Sequence, residues 1–369
     1  MIGPLNLLIL SRYDVRGASS RLRTLQYVPA LEAQGFAVTH LPLFGATYLD
    51  TIYHSGGWLA GRARSAGRVG AAMVRRLSAL LGARRYDVVW VEKELFPYLP
   101  GAFEGLLARA GVPYVVDYDD AIFHRYDRAR SRFVRGALGA KLDPLLRGAF
   151  AVTAGNAYLA DYARRRGARR VEQVPTVVDI DRYRHVLEPT GEVFRIGWIG
   201  SPSTAPYLST IHGPLRALAA ERPVRLVTVG APPLDLPGVP IERHDWTLDS
   251  EVRLIEGFHA GVMPLLDSPW EQGKCGYKLI QYMACGRPVI ASPVGVNGAI
   301  VGDDAGFMAR DDAEWLDGFR ALAESAARRA AMGAAGRVRI EDAYTLQIMA
   351  PRIAALLTEA AASRGGSAA

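Results

Sequence analysis

Two doubly wound α/β domains in tandem are the architecture this sequence predicts, and three observations predict it. A chain of 369 residues exceeds one ordinary core and fits two domains. Short apolar runs alternate with helical patterns along its whole length, the mark of βαβ units and parallel sheets. A polar segment, Arg184–Glu192, carries Pro189 and Gly191, divides the series and reads as a linker.

The elements follow in order. Leu5–Leu10 is a short apolar run with no basic lead-in and no small-residue cleavage site, so it is read as a buried strand rather than a signal peptide. Strands are then expected at Ala37–Leu41, Val88–Val91, Tyr114–Val116, Ala151–Thr153 and Val171–Val174, with helices such as Ser20–Gln34 and Tyr158–Arg166 between them. The second series begins at Phe194–Ile199 and continues through Val224–Val229, Ala260–Pro264 and Pro288–Ala291. A last helix, Leu346–Ala361, precedes a Ser/Gly/Ala tail. The expected domains are 1–183 and 193–345, with 346–369 packing back on the first. Tandem doubly wound domains place a ligand cleft at the carboxyl ends of their strands. No stretch reaches the length of a membrane span.

Composition narrows the function classes. Net charge is +7 and nearly all the positive charge is Arg, since the chain has only four lysines. The arginines are spread along the chain, which argues against a nucleic-acid tail and leaves a membrane-surface protein or an enzyme with anionic substrates. Arg suits bidentate recognition of phosphate. Cys275 and Cys285 lie far from any His cluster, and none of the seven His has metal-ligand spacing. No metal site or cofactor is therefore expected, and a reduced, cytoplasmic compartment is the default.

The most informative stretch is Gly273-Lys-Cys-Gly-Tyr-Lys-Leu-Ile-Gln-Tyr-Met-Ala-Cys-Gly-Arg-Pro-Val-Ile-Ala-Ser-Pro-Val-Gly-Val-Asn297. It reads as a Gly-containing loop, a short helix stopped at Gly286, a buried strand and a second Gly-rich turn. Lys278, Gln281 and Tyr282 share one helical face, with Leu279, Ile280 and Met283 on another. A helix N-terminus attracts anions, and Lys274 and Lys278 beside it make a pyrophosphate seat. Gln281 can donate to and accept from a ribose diol. The competing reading is a solvated lysine face on an ordinary amphipathic helix.

This segment resembles the donor-site signature of family 4 (GT4) glycosyltransferases, retaining enzymes of the GT-B type with two Rossmann-like domains facing across a cleft. The usual signature has two Glu separated by seven residues and ends in Glu-Ala-Met-Ala-Cys-Gly-x-Pro-Val-Ile-Ala-Ser. Gln281-Tyr-Met-Ala-Cys-Gly-Arg-Pro-Val-Ile-Ala-Ser292 matches that ending with Gln for the second Glu, and Gly273 stands where the first would fall, two residues after Glu271. The resemblance implies that Gln281 holds the donor ribose and that Gly295 and Asn297 close over the sugar or phosphates.

Weaker segments extend the resemblance. Arg16-Gly-Ala-Ser-Ser-Arg21 follows a strand and opens a helix. Gly17 permits close backbone approach, Ser19 or Ser20 can cap the helix, and Arg16 and Arg21 make it either an anion seat or a plain capped turn. Gly197-Trp-Ile-Gly-Ser-Pro-Ser-Thr204 stands where the family has Gly-Arg, so Gly200, Ser201 and Ser203 are expected to make neutral donor contacts. Val174-Pro-Thr-Val-Val-Asp179 resembles a structural segment before the linker.

Val115-Val-Asp-Tyr-Asp-Asp-Ala-Ile-Phe123 places three carboxylates in four residues past a buried strand, which is costly without a purpose. Asp117, Asp119 or Asp120 is expected to orient hydroxyls or to serve as the acceptor's base, with His124 nearby. The alternatives are a metal-binding Asp-x-Asp and a turn that caps the next helix. Glu92 and Lys93 end another strand and either contact acceptor or pair with each other. Within Tyr48–Leu81, Arg64, Arg68 and Arg75 fall on one helical side and Val69, Met73, Leu77 and Leu80 on the other; with Trp58 they suit an anionic membrane or simple packing.

The expected activity is therefore transfer of a sugar from a nucleoside-diphosphate sugar to a glycan, lipid-linked or small-molecule acceptor. The reaction is expected to proceed with retention, in cell-envelope or exported glycan synthesis, in the cytoplasm or at the inner face of the membrane. No nucleic acid is expected as a partner. The rivals are a sugar-nucleotide epimerase and a non-catalytic GT-B-like subunit.

Overall fold

The computed structural model describes residues 3–45, 60–184 and 189–364. The chain forms two compact units, one of residues 1–176 with 349–369 and one of residues 177–348.

The first unit holds a six-stranded, wholly parallel sheet: β1 (Leu5–Leu10), β2 (Phe36–His40), β3 (Val88–Glu92), β4 (Tyr114–Tyr118), β5 (Ala151–Ala154) and β6 (Val171–Gln173), in the order β2-β1-β3-β4-β5-β6. Both faces are covered, so β3, β4 and β5 are buried at every position and are mostly apolar in sequence, with Glu92, Asp117 and Thr153 as the polar exceptions. The chain reverses direction across the sheet between β1 and β3. Ligands bind at such a switch point, outside the carboxyl ends of the strands.

The second unit repeats the plan with β7 (Phe194–Ile199), β8 (Val224–Val229), β9 (Ile241–His244), β10 (Ala260–Met263), β11 (Val289–Ala291) and β12 (Gly306–Met308), also parallel, in the order β12-β11-β10-β7-β8-β9. Its switch point lies between β7 and β10. Two apolar layers sandwich the sheet, one built on Tyr282, Met283 and Phe258 and the other on Trp198, Leu215 and Phe319.

Several expectations need correction. The edge strands β9 and β12 are absent from the sequence reading because their residues are half-exposed, without a distinct apolar run. The helix expected over Ser20–Gln34 is three pieces, Ala18–Arg23, a 3₁₀ turn at Leu25–Tyr27, and Val28–Ala33. Pro29 has no N–H to continue the first piece and instead starts the last one.

The first unit ends at Thr176 rather than at 183, because the next residues are tied into the second unit. Val178 bridges Thr345, exchanging backbone bonds with Tyr344 and Leu346, and the Tyr183 hydroxyl donates to Glu251 at 2.9 Å. The final helix, Leu346–Ser363, starts in the second unit and continues into the first, where Arg364 just beyond it donates to the Tyr86 and Arg84 carbonyls.

The Ala60–Leu81 helix divides largely as expected, with Arg68 and Arg75 exposed, Leu80 buried, and Val69 and Met73 packed on the Leu43, Phe44 and Ala72 cluster, though the division is not complete. Arg76 is buried, donates to the Ser11 carbonyl at 2.5 Å, and burial pulls its pKa down to about 10. Val74 and Leu81 are exposed with Arg68 and Arg75, and Leu77 is at the margin. Trp58 and the Arg64 side chain lie outside the described residues. Among the described residues no helix is long and apolar enough to cross a membrane.

Candidate active site

Most of the predicted site residues lie on segments that follow the carboxyl ends of strands, β1, β3 and β4 in the first unit and β7, β10 and β11 in the second. In the first unit, β3 ends at Glu92, and the chain turns at Lys93 with φ of 65°, a left-handed conformation costly for a side-chain-bearing residue and characteristic of functional turns. The Lys93 backbone N–H donates to the Asp117 carbonyl at 2.9 Å, which ties the turn to β4. Its ammonium lies 2.8 Å from Asp119, 3.3 Å from Asp120 and 4.0 Å from Glu92. Burial works against that ammonium, but Asp119, Asp120 and Glu92 together hold its pKa above the usual lysine range.

Glu92 is fully buried, and burial raises its carboxyl pKa despite the attraction of Lys93. It accepts from the Arg12 backbone at 2.8 Å and from Ser20 Oγ at 2.5 Å. Pairing with Lys93 is thus the weakest of its contacts. Ser19 Oγ donates to Asp119 at 2.5 Å. Neither serine caps the following helix: Gly17 occupies the N-cap, and both hydroxyls reach instead to carboxylates at the ends of β3 and β4. Arg16 is exposed, and Arg21 donates to the Val15 carbonyl.

The three aspartates have different surroundings. Asp117 is 1% exposed and held by the fork of Arg23 at 2.7 and 2.9 Å, with Thr153 Oγ1 donating at 2.6 Å. Its oxygens are spent on that internal pair, which removes it from direct work on a substrate. Asp119 and Asp120 keep 13% and 26% of their side-chain surface exposed. His124 lies apart, with Nδ1 at 2.7 Å from Asp127 and Nε2 at 2.7 Å from the Tyr158 hydroxyl.

Behind this turn is a charged cluster that sequence reasoning missed. Glu94 meets Arg12 at 2.6 Å and Lys141 at 2.8 Å and accepts from the Tyr126 hydroxyl at 2.7 Å. Lys141 also meets Glu104 at 2.8 Å. Burial alone would raise the Glu94 carboxyl, but Lys141 and Arg12, with these hydrogen bonds, bring it below the ordinary carboxylate range. The available signal was the rarity of lysine, which marks Lys141 as it marks Lys93.

In the second unit, β7 ends at Ile199, Gly200 and Ser201 follow, and a 3₁₀ helix starts at Pro202. A Cβ on Gly200 would stand 2.7 Å from Lys278 Cε and 2.8 Å from the Trp198 indole. The glycine therefore lets the Lys278 stem lie across the strand end. The Lys278 ammonium sits 5.3 Å from the centre of the Trp198 ring and 3.4 Å from Thr204 Oγ1. Ser201 and Ser203 hydrogen-bond each other at 2.9 Å. Lys274 is half-buried, its ammonium 5.5 Å from the Trp270 ring centre.

The Tyr277–Ala284 helix opens on Gly276, whose φ of 65° only glycine takes without strain. Every residue from Leu279 to Ala284 is buried, so the expected division into a polar and an apolar face is replaced by a helix enclosed on nearly all sides. Gln281 is 3% exposed and donates to the Tyr183 hydroxyl at 3.1 Å, in a chain that continues to Glu251 and Trp246. This buried network occupies the amide expected to meet a ribose. Glu271 is 7% exposed and accepts from the hydroxyls of Tyr207 and Ser268.

Asn297 is fully buried, and its Nδ2 donates to the Ser292 carbonyl at 3.0 Å. Its Oδ1 has no hydrogen-bond partner among the described residues. Gly295 is exposed, and its N–H donates to Gln272 at 3.2 Å. Cys275 and Cys285 are free thiols, and among the described residues no group of three or more His, Cys, Asp and Glu is placed to hold a metal ion.

Comparison with known proteins agrees with this two-part plan. No curated protein sequence matches the chain. Among solved structures, it is similar to sucrose-phosphate synthase from Thermosynechococcus elongatus (15% identity, TM-score 0.69, covering 97% of this chain and 100% of the other). It is also similar to a glycosyltransferase from Rickettsia africae (11%, 0.65, covering 97% and 99%). A third is Anabaena HepE, solved in complex with UDP and glucose (15%, 0.66, covering 96% and 100%). At these identities the likeness shows the GT-B fold. Residues 11–177 match the glycosyl transferase 4-like domain and residues 198–325 match the glycosyl transferases group 1 family. Two matched domains spanning most of the chain, each on one of the parallel sheets, establish that this protein belongs to the GT4-like, group 1 glycosyltransferases and is a sugar-transferring enzyme.

Proposed function

We propose that the enzyme takes its sugar from a nucleoside-diphosphate sugar and passes it to an acceptor hydroxyl with retention of anomeric configuration. The observation that carries the donor assignment is the placement of Lys278 across Gly200, beside Thr204, at the switch point of the second sheet. A diphosphate seated there meets the Lys278 and Lys274 charges, with the start of the 3₁₀ helix at Pro202 beside it. These groups stabilise negative charge as the sugar departs. Anabaena HepE, solved with UDP-glucose, makes uridine diphosphate sugars the first candidates.

Asp119 and Asp120 are assigned to the acceptor hydroxyls. Asp119, held in place by Lys93 at 2.8 Å and Ser19 at 2.5 Å, is assigned to orient a hydroxyl. Asp117 acts through Arg23, fixing the end of β4. Acceptors of glycan or lipid-linked type fit this reading.

A panel of nucleoside-diphosphate sugars tests it by thermal shift. One donor should raise the melting temperature, since a ligand bound only by the native state at a hundred times its Kd adds about 2.7 kcal/mol of stability. Incubation with that donor alone should yield no epimer. Epimer formation without acceptor, or no stabilisation by any donor in the panel, would overturn the proposed donor and reaction.

A further inference from the structure

The first unit carries a pocket of about 310 Å³ between two short helical faces. His124, Asp127 and Arg128 form one wall, at positions i, i+3 and i+4. Tyr158, Tyr162 and Arg165 form the other, at i, i+4 and i+7. The walls are joined by the His124 ring, which touches Asp127 through Nδ1 and the Tyr158 hydroxyl through Nε2, both at 2.7 Å.

That chain uses the pocket's one carboxylate. Arg166, also in the lining, is anchored over the Tyr162 ring at 5.3 Å and near Asp127 and Asp143 at 3.9 and 3.8 Å. Arg128 and Arg165 stand exposed and make no ion pair among the described residues. Phe123 stacks flat on Tyr162 and both are buried, which leaves Tyr158 as the half-exposed ring of the lining.

Two uncompensated guanidinium groups select an anion, and their planar forks match a phosphate or carboxylate. The half-exposed Tyr158 ring offers an apolar surface to the C–H side of a sugar ring. The volume is at the low end for ligand pockets, which suits one sugar unit. We infer that this pocket binds an anionic saccharide, a sugar bearing phosphate or carboxylate, through Arg128 and Arg165, with the Asp127–His124–Tyr158 chain holding Tyr158 against the sugar. That the anionic sugar belongs to the acceptor rests on the transferase reading; binding itself does not.

Titration calorimetry on the full chain, with glucose 6-phosphate, glucuronate, glucose and inorganic phosphate, tests the inference. Glucose 6-phosphate or glucuronate should bind, the tighter one identifying the anion, and glucose and inorganic phosphate should bind at least tenfold more weakly. The Arg128→Gln/Arg165→Gln double variant should lose at least tenfold in affinity and Tyr158→Phe at least threefold, with unchanged circular dichroism. No binding by either anionic sugar, equal binding of inorganic phosphate, or wild-type affinity in the double variant would overturn it. Lys278→Met separates the two readings: this binding should persist in it, whatever becomes of sugar transfer.

Discussion

Lys278→Met is expected to lower kcat/KM for sugar transfer by at least a hundredfold while leaving the fold intact. Methionine keeps the aliphatic stem that packs across Gly200 and against the Trp198 indole, so the packing change is small. What is lost is the ammonium beside Thr204. Removing one preorganised donor to a developing anion typically costs about 10² to 10³ in rate. Lys278→Arg should retain more activity than Lys278→Met, because it restores charge with a different reach. Steady-state kinetics with the matched donor checks both. Wild-type turnover in Lys278→Met would remove Lys278 from phosphate binding.

Lys141→Met should produce a large loss of stability. Lys141 is fully buried and bridges Glu94 and Glu104 at 2.8 Å each, also donating to the Phe96 carbonyl at 3.1 Å. Glu94 would keep Arg12, whereas Glu104 would keep only the Leu95 and Phe96 backbone N–H groups. Leaving a buried charge without its partner costs about 3 to 5 kcal/mol, which for a unit of this size corresponds to a fall in Tm of roughly 6 to 20 °C.

Burial already raises the Glu104 pKa above its unfolded value despite Lys141. A carboxyl raised in the folded state favours the native protein at low pH and penalises it as pH rises through the folded value. The variant's deficit should therefore be larger at pH 8 than at pH 5. Glu104→Gln in the same chain should recover part of it, and denaturation curves at the two pH values measure both effects. A loss under about 1 kcal/mol would mean that the cluster relaxes without Lys141.

Much of the fold was legible because both sheets are parallel and covered on both faces. Strands such as Val289–Ala291, and the Val88–Val91 part of β3, then appear as unbroken apolar runs that sequence reading can find. The half-exposed edges at Ile241–His244 and Gly306–Met308 carry no such run. The Lys274–Asn297 segment stood out through scarce lysine and abundant glycine, and the structure places Lys278 at a switch point that sequence pattern cannot locate.

Other parts were not legible because long-range pairing decides them. Asp117 reads as one of three equivalent aspartates until Arg23, remote in sequence, takes both its oxygens. Gln281 reads as a polar face residue until Tyr183 and Glu251 enclose it. Ser19 and Ser20 have the composition of caps, yet their hydroxyls serve Asp119 and Glu92. Arg76 sits on a basic helix and points inward to the Ser11 carbonyl. In each case the residue type was informative and its partner was not.

A nucleoside diphosphate is proposed to sit at the β7–β10 switch point. Hydrogen exchange on the full chain, with and without uridine diphosphate, measures this directly. Protection on binding should be concentrated at Gly200–Thr204 and Lys274–Gln281 and should disappear in Lys278→Met. Protection confined to the first unit, or unchanged in that variant, would contradict it.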